Sequence, residues 1–351
     1  MRLKLLFFGF TFVFLSSKAQ NIDLYVGTYT KRDSKGIYKL NFNTETGVLN
    51  NKKLVIHADD PSFLTYAPDR KFMYSVNGSG FVSSYKINED KSLSLLTRMS
   101  SNGKGPCHIA INKEGSKIVV SNYGAGTVSI YPIKENGYLG EASQVFNHNK
   151  GEKPARAHSA QFHENDLYVA DLGNNAVYHY ELDGDKYKLK SDSIVKMEGN
   201  PGPRHFVLTK DDQYIYIINE YGGSITSVKK TKKRFEQIDF DSTLDDDYKG
   251  QISCADIHLS KDERFLYGSN RGENSIAVFK RNTEDGTIER IQNMSVYGDW
   301  PRNFTLDPTG KFLLVANRKS DNISVFKINT ETGKLSFLYS IDMPSPVCLL
   351  F

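Results

Sequence analysis

Residues 203–230 read PRHFVLTKDDQYIYIINEYGGSITSVKK. An apolar run from His205 to Thr209 meets the turn Lys210-Asp211-Asp212-Gln213 and returns as Tyr214 to Asn219; it turns again at Glu220 to Ser224 and continues as Ile225 to Lys229. β-Branched and aromatic residues between Asp, Gly and Lys turns predict consecutive antiparallel strands, with one more outer strand leading onward. The central phrase recurs along the chain, each time closed by a small polar residue: Thr28, Asn77, Asn122, Asp171, Asn219, Asn270 and Asn317. Successive closing residues lie 45 to 51 positions apart. A period of this length with several short strands per repeat is the mark of a radially repeated all-β protein rather than of two ordinary domains.

A second phrase precedes each closing residue by about fifteen positions: Pro61-Ser62-Phe63, Pro106-Cys107-His108, Ala157-His158-Ser159, Pro203-Arg204-His205, Cys254-Ala255-Asp256, Pro301-Arg302-Asn303 and Pro346-Val347-Cys348. It opens the innermost strand of each repeat. A lone sheet of this kind cannot bury both faces, so neighbours must stack around an axis. The pattern therefore predicts an all-β, seven-bladed β-propeller of four-stranded antiparallel blades. The last phrase has an inner strand with nothing after it, whereas residues 22–45 have partners and no inner strand. The C-terminal strand is thus expected to join the N-terminal blade and close the ring.

Of the 351 residues, 39% are hydrophobic and 12% aromatic, ample for a large core. Arg2 and Lys4 precede an apolar run from Leu5 to Leu15, followed by Ser17-Lys18-Ala19. This reads as a signal peptide over residues 1–19, cleaved before Gln20, leaving 20–351 as one exported domain, periplasmic or secreted. No Cys follows the cleavage point to carry a lipid, and no later segment is long and apolar enough to span a bilayer. The formal charge of +4 falls to +1 without the leader, which carries Arg2, Lys4 and Lys18 and no acid. Net charge thus gives no support for nucleic-acid binding. The basic run Lys229, Lys230, Lys232, Lys233 and Arg234 is followed by Asp239, Asp241 and Asp245 to Asp247, and reads as a solvated outer hairpin. Cys107, Cys254 and Cys348 each begin an inner-strand phrase, which favours buried thiols over a disulfide framework.

Antiparallel pairing brings the start of each inner strand beside the end of the next strand. Arg204 and His205 are thereby placed near Asn219 and Glu220, Asp256 near Asn270 and Arg271, Arg302 near Asn317 and Arg318, His158 near Asp171, and His108 near Asn122 and Tyr123. One mouth of the channel collects four arginines, three histidines and a carboxylate, while the other receives ordinary turns. Guanidinium forks suit a carboxylate or phosphate, and a His or Glu among them could act as a general base. In a regular strand Arg204 and His205 point to opposite faces, so only one of them would face the channel. The closing Asn residues read as turn-forming scaffold, and His108, His179 and His258 as locally hydrogen-bonded. No GxSxG elbow, HExxH, phosphate loop or CxxC is present, and no metal-ligand set is visible.

The phrases GPCHIAINKEG, VVSNYGAGTVSIYPI, AHSAQF, LYVADLG, GPRHFVL, YIINE, ADIHLSKDERFLYGSNRG and PRNFTLDPTGKFLLVAN, in this order and spacing, resemble the propeller-type lactonase family over residues 22–351. That family includes bacterial 6-phosphogluconolactonases and fungal carboxymuconate lactonising enzymes. The resemblance implies catalytic positions at His158, Arg204, Glu220 and Arg271, with His108, Asp256, Arg302 and Arg318 as expected substrate contacts. Arg156 stands where related sequences often carry a histidine. The expected reaction is hydrolysis of an anionic sugar lactone without metal or organic cofactor. Glu220 or His158 would serve as base and an arginine would hold the oxyanion. The alternatives are lactonisation or isomerisation of a carboxymuconate-like diacid, and a non-catalytic exported binding propeller.

Overall fold

Along Tyr214–Asn219 every side chain is buried, and the two faces of the strand go to different neighbours. Tyr214, Tyr216 and Ile218 pack against Ile257, Leu266, Ala277 and Phe279 on the sheet that follows. Ile215 and Ile217 pack against Tyr168, Ala170 and Val177 on the sheet before. Period-two alternation therefore makes both faces of each sheet apolar, and only a ring of sheets buries all of them. The computed structural model describes residues 21–149, 151, 153–231 and 234–351; the expected leader, Lys232 and Lys233 lie outside the described residues. Within them, apolar clusters fill the successive interfaces, including the closing one, where Leu24, Val26 and Phe42 meet Phe312, Leu314 and Ile323. Each fully buried Leu, Ile or Phe contributes about 1.5–3 kcal/mol, so every interface is a substantial share of the stability.

Seven sheets form seven blades. Blade five shows the pattern: Pro203–Leu208 innermost, then Tyr214–Asn219, Ser224–Lys230 and Phe235–Ser242. Blade one combines Asn21–Thr28, Gly36–Asn43 and Leu49–His57 with the C-terminal strand Pro346–Leu350, as the incomplete repeats require. Arg70 Nη2 then donates to the Phe351 carbonyl at 3.0 Å, tying the chain end to blade two. Blade four departs from the four-strand expectation. Its third strand, Ala176–Asp183, pairs with both Lys186–Leu189 and a fifth strand, Val195–Lys196, because the 3-10 turn Ser191–Ser193 breaks the outer edge in two.

The strand ends meet as the pairing argument requires: Pro61 with Asn77, Pro106 with Asn122, Ala157 with Asp171, Pro203 with Asn219, Cys254 with Asn270, Pro301 with Asn317 and Pro346 with Thr28. The Asn amides lock blades together. Those of Asn77, Asn122 and Asn270 donate to Asp59, Ser101 and Thr243 carbonyls, on the segments arriving from the previous blade. Immediately inside each of these pairs the inner strand carries one extra residue, a β-bulge. The extra positions include Ser62, Cys107, His158, Arg204 and Arg302. A bulge re-aims side chains. Arg204 and His205 are thereby freed from strict alternation: Arg204 turns to Glu220 behind the mouth, and His205 faces the channel.

Candidate active site

Two repeat positions build the mouth. In six of the seven blades the residue after the closing polar residue lines it, as Tyr29, Gly78, Tyr123, Glu220, Arg271 and Arg318, and the bulge supplies Ser62, Cys107, His158 and Arg302. With Lys31 and Asp60 they line a cavity of about 450 Å³. Four cations thus face two carboxylates, an excess that suits an anionic ligand.

Glu220 is held from both sides. Arg271 Nη2 lies 2.8 Å from one carboxylate oxygen and Arg204 Nε 3.0 Å from the other. The Arg204 contact is Coulombic rather than an aligned hydrogen bond, since Nε has no hydrogen-bond partner. Arg204 is 1% exposed and sits behind Glu220, with Nη1 donating to the Ala255 carbonyl at 2.5 Å. Burial and the neighbouring Arg271 and Arg302 lower its pKa to about 9, which leaves it charged at neutral pH. Arg271 donates from Nε to Ser253 O (3.2 Å) and from Nη2 to Cys254 O (3.0 Å), and lies 5.3 Å from the Trp300 ring centre. Gly272 permits this placement, because a Cβ there would stand 1.6 Å from the Gln251 carbonyl oxygen.

Arg302 and Arg318 differ from these two. Both lie over the Tyr29 ring, at 5.5 and 4.7 Å, and neither has a carboxylate within ion-pair distance among the described residues. The charges not neutralised by the protein are therefore the ones that face the cavity.

His158 is 5% exposed and lines the same cavity beside Tyr123, ring centres 5.8 Å apart. Burial, then Arg204, His205, Arg302 and Arg271, hold its pKa well below the ordinary histidine range, so the imidazole is neutral. Asp171, which strand pairing places near it, is occupied elsewhere. Asp171 accepts from the Arg156 and Asn174 amides and sits 2.9 Å from His148 Nδ1, whose Nε2 meets Tyr180 Oη at 2.8 Å.

His108 and Asp256 do not line the mouth cavity. They face a second cavity of about 390 Å³ deeper in the channel, with Phe63, His205, Asn303 and Cys348. The bulge thus sorts adjacent residues into two layers, Cys107 above and His108 below, Arg302 above and Asn303 below. Arg156 lies at the rim, its guanidinium 5.4 Å from the Tyr123 ring centre.

The three cysteines are free and buried. Burial raises the Cys107 thiol to about 11 and the Cys254 and Cys348 thiols to about 12, the opposite of what a nucleophile needs. Among the described residues, the one metal-sized group of ligating atoms is Asp166, His179 and Glu181 on blade four, outside both cavities. Part of the basic run is paired, with Lys230 on Asp212 and Asp166, and Arg234 on Glu236. Sequence reading placed Tyr123 at the mouth without a role and did not single out Tyr29, Lys31 or Asp60. The usable signal was positional, since Tyr29 and Tyr123 occupy the repeat position of Glu220 and Arg271.

A family model described as a seven-bladed β-propeller lactonase matches residues 23–351. The chain is 33% identical over 343 residues to a 6-phosphogluconolactonase of Bacillus subtilis, covering 93% of this chain and 97% of that one. It is 35% identical over 311 residues to a 6-phosphogluconolactonase of Formosa agariphila, covering 82% and 87%. A solved structure of the Pseudomonas aeruginosa periplasmic gluconolactonase superposes with a TM-score of 0.88 at 26% identity, covering 94% of this chain and 99% of that one.

Proposed function

The chain belongs to the seven-bladed β-propeller lactonase family, and from that premise we propose that it hydrolyses an anionic sugar lactone of the 6-phosphogluconolactone type to the open-chain aldonate. The observation that carries this reading is the pairing, in one cavity, of a neutral imidazole with two arginines that lack carboxylate partners. His158 is the base that takes a proton from the attacking water. Glu220 suits that task less well, because each of its oxygens already meets a guanidinium. Arg271, whose Nη1 has no partner among the described residues, stabilises the tetrahedral oxyanion; such a donor is worth roughly 2.7–4 kcal/mol of transition-state stabilisation. Arg302 and Arg318 hold the phosphate. Arg204 fixes Glu220, and Glu220 fixes Arg271.

The scheme uses side chains alone, and the mouth offers no metal-sized ligand group among the described residues. An export leader over residues 1–19, together with likeness to a periplasmic gluconolactonase, supports action outside the cytoplasm on a lactone of that compartment. The test is lactone opening above the spontaneous rate, on phosphorylated and plain aldonolactones. A carboxymuconate accepted in their place would transfer the site to the lactonising reaction. Failure on every lactone would leave a binding propeller.

A further inference from the structure

Two ring nitrogens at the channel centre are sealed from solvent without a hydrogen-bond partner: His158 Nδ1 and His205 Nε2. They belong to adjacent rings, 5.0 Å between centres and tilted by 57°. At that separation, ring nitrogens turned toward each other fall within hydrogen-bond reach. His205 Nδ1 lies 2.8 Å from Asp256 Oδ1. Asp256 also accepts from Asn303 Nδ2 (2.5 Å), the Ile257 amide (3.0 Å) and the Phe304 amide (3.3 Å), with His258 Nε2 at 3.2 Å. Burial opposes its charge, but His258 and His205 hold its pKa well below the usual carboxylate range.

A carboxylate only accepts, so the proton of neutral His205 sits on Nδ1 and its Nε2 is left as an acceptor. The one arrangement that satisfies both sealed nitrogens puts the His158 proton on Nδ1, donated to His205 Nε2. The lone pair of His158 then lies on Nε2, the nitrogen that is not sealed and that serves the cavity. A neutral imidazole in that tautomer is a base aimed outward.

We propose that Asp256, His205 and His158 form one hydrogen-bonded chain from the deeper cavity to the mouth, in which Asp256 and His205 are positioning residues that fix His158 Nε2 as the base. The proposal rests on the lactonase reading. Water loses a proton to His158 Nε2 as its oxygen bonds to the lactone carbonyl carbon. When the carbon–ring oxygen bond breaks, the same proton passes to the leaving oxygen. Between these events His158 is cationic beside Arg204, Arg271 and Arg302, in a cavity whose carboxylates are Glu220 and Asp60. Asp256, acting through His205, offsets that charge from below. His108 flanks His205 at 5.4 Å between ring centres and adds no charge while neutral.

Histidine 15N NMR on the whole mature protein tests the chain without any substrate, with signals assigned from His158→Gln and His205→Gln. The expected result is a proton on Nδ1 of both His158 and His205, with the His158 preference lost in His205→Phe. A proton on His158 Nε2 in the wild type would overturn the chain. Kinetics on 6-phosphogluconolactone give the second reading. His205→Phe, which keeps the ring shape without an acceptor, should lower kcat about 10- to 100-fold, within the span of general-base effects, with KM within about twofold. His205→Gln, which restores an acceptor oxygen, should recover part of it. Asp256→Asn should also move the acid limb of kcat/KM to lower pH, because the charge that favours the imidazolium is gone. If His158→Gln abolishes activity while His205→Phe folds normally with wild-type kcat and acid limb, the chain fails and the base assignment stands. If His158→Gln keeps wild-type kcat, the base assignment fails and the tautomers still judge the chain.

Discussion

Arg302→Gln separates binding of the anionic group from chemistry and from folding. Arg302 has no carboxylate within ion-pair distance among the described residues, so the fold gains no direct ion pair from it; burial opposes its charge, but Tyr29, Cys107, Glu220 and Asp256 favour it from further off and raise its pKa. It is also a like charge to its fellow arginines, contributing to the lowered pKa values of Arg204 and Arg271. A hydrogen bond from a charged donor is worth roughly 1.5–3 kcal/mol. At 1.4 kcal/mol per tenfold, its loss should raise KM for 6-phosphogluconolactone by roughly 10- to 150-fold. Gluconolactone, which lacks the phosphate, should change by less than about threefold. Relief of repulsion among the arginines offsets the loss of the longer-range attraction to Glu220 and Asp256, so the thermal midpoint should stay close to the wild-type value. The assay is initial-rate lactone opening, corrected for spontaneous hydrolysis, on both lactones beside a thermal melt. An equal loss on both substrates, or a large fall in the midpoint, would refute the reasoning.

A base whose pKa lies well below 6.5 is deprotonated at neutral pH, so kcat/KM should be flat from about pH 7 down past 6.5 and fall only at lower pH; an acid limb centred at 6.5 or above would remove His158 from that role. The fold should weaken over a related window, because His205, lowered to about 4 by burial, is neutral when folded and protonated when unfolded between that value and about 6.5. Denaturant midpoints should therefore decline as pH falls through this range, and constancy there would contradict the burial. Gly272→Ala brings a Cβ against the Gln251 carbonyl and must displace Arg271; kcat should drop by at least tenfold, about the scale of a misplaced oxyanion donor, with a lowered midpoint, and a wild-type rate would refute the placement. Removing residues 346–351 strips blade one of its inner strand and part of two apolar interfaces; circular dichroism and melting should report an unfolded or aggregating chain, and a cooperative melt near the wild-type midpoint would refute ring closure by that strand.

The ring was legible because two independent periods agree, alternation within each strand and the spacing of the closing polar residues. The mouth was legible because antiparallel pairing fixes which strand ends meet. What the sequence could not convey was depth. Arg204 and Arg302 occupy the same repeat position, yet Arg204 is sealed behind Glu220 and Arg302 opens onto the cavity. Their difference comes from the residue that follows the closing Asn of the same blade, which is Glu220 beside Arg204 and Arg318 beside Arg302. The bulge was also hidden, since an extra residue in one strand leaves no mark in an apolar pattern, and it alone lets His158 and Arg302 face up while His205 and Asn303 face down. His148 captures Asp171 from a connecting segment that carries no repeat signal. The fifth strand of blade four is similarly invisible, being two residues long.

The most direct measurement is the rate at which purified residues 20–351 open 6-phosphogluconolactone in the presence of EDTA, beside the same protein carrying His158→Gln. The expected result is a rate well above spontaneous hydrolysis that is higher for the phosphorylated lactone than for gluconolactone and is lost in the variant at an unchanged thermal midpoint. A wild-type rate no greater than the spontaneous one, or one that His158→Gln leaves intact, would contradict a mouth cavity that hydrolyses anionic lactones with His158 as its base.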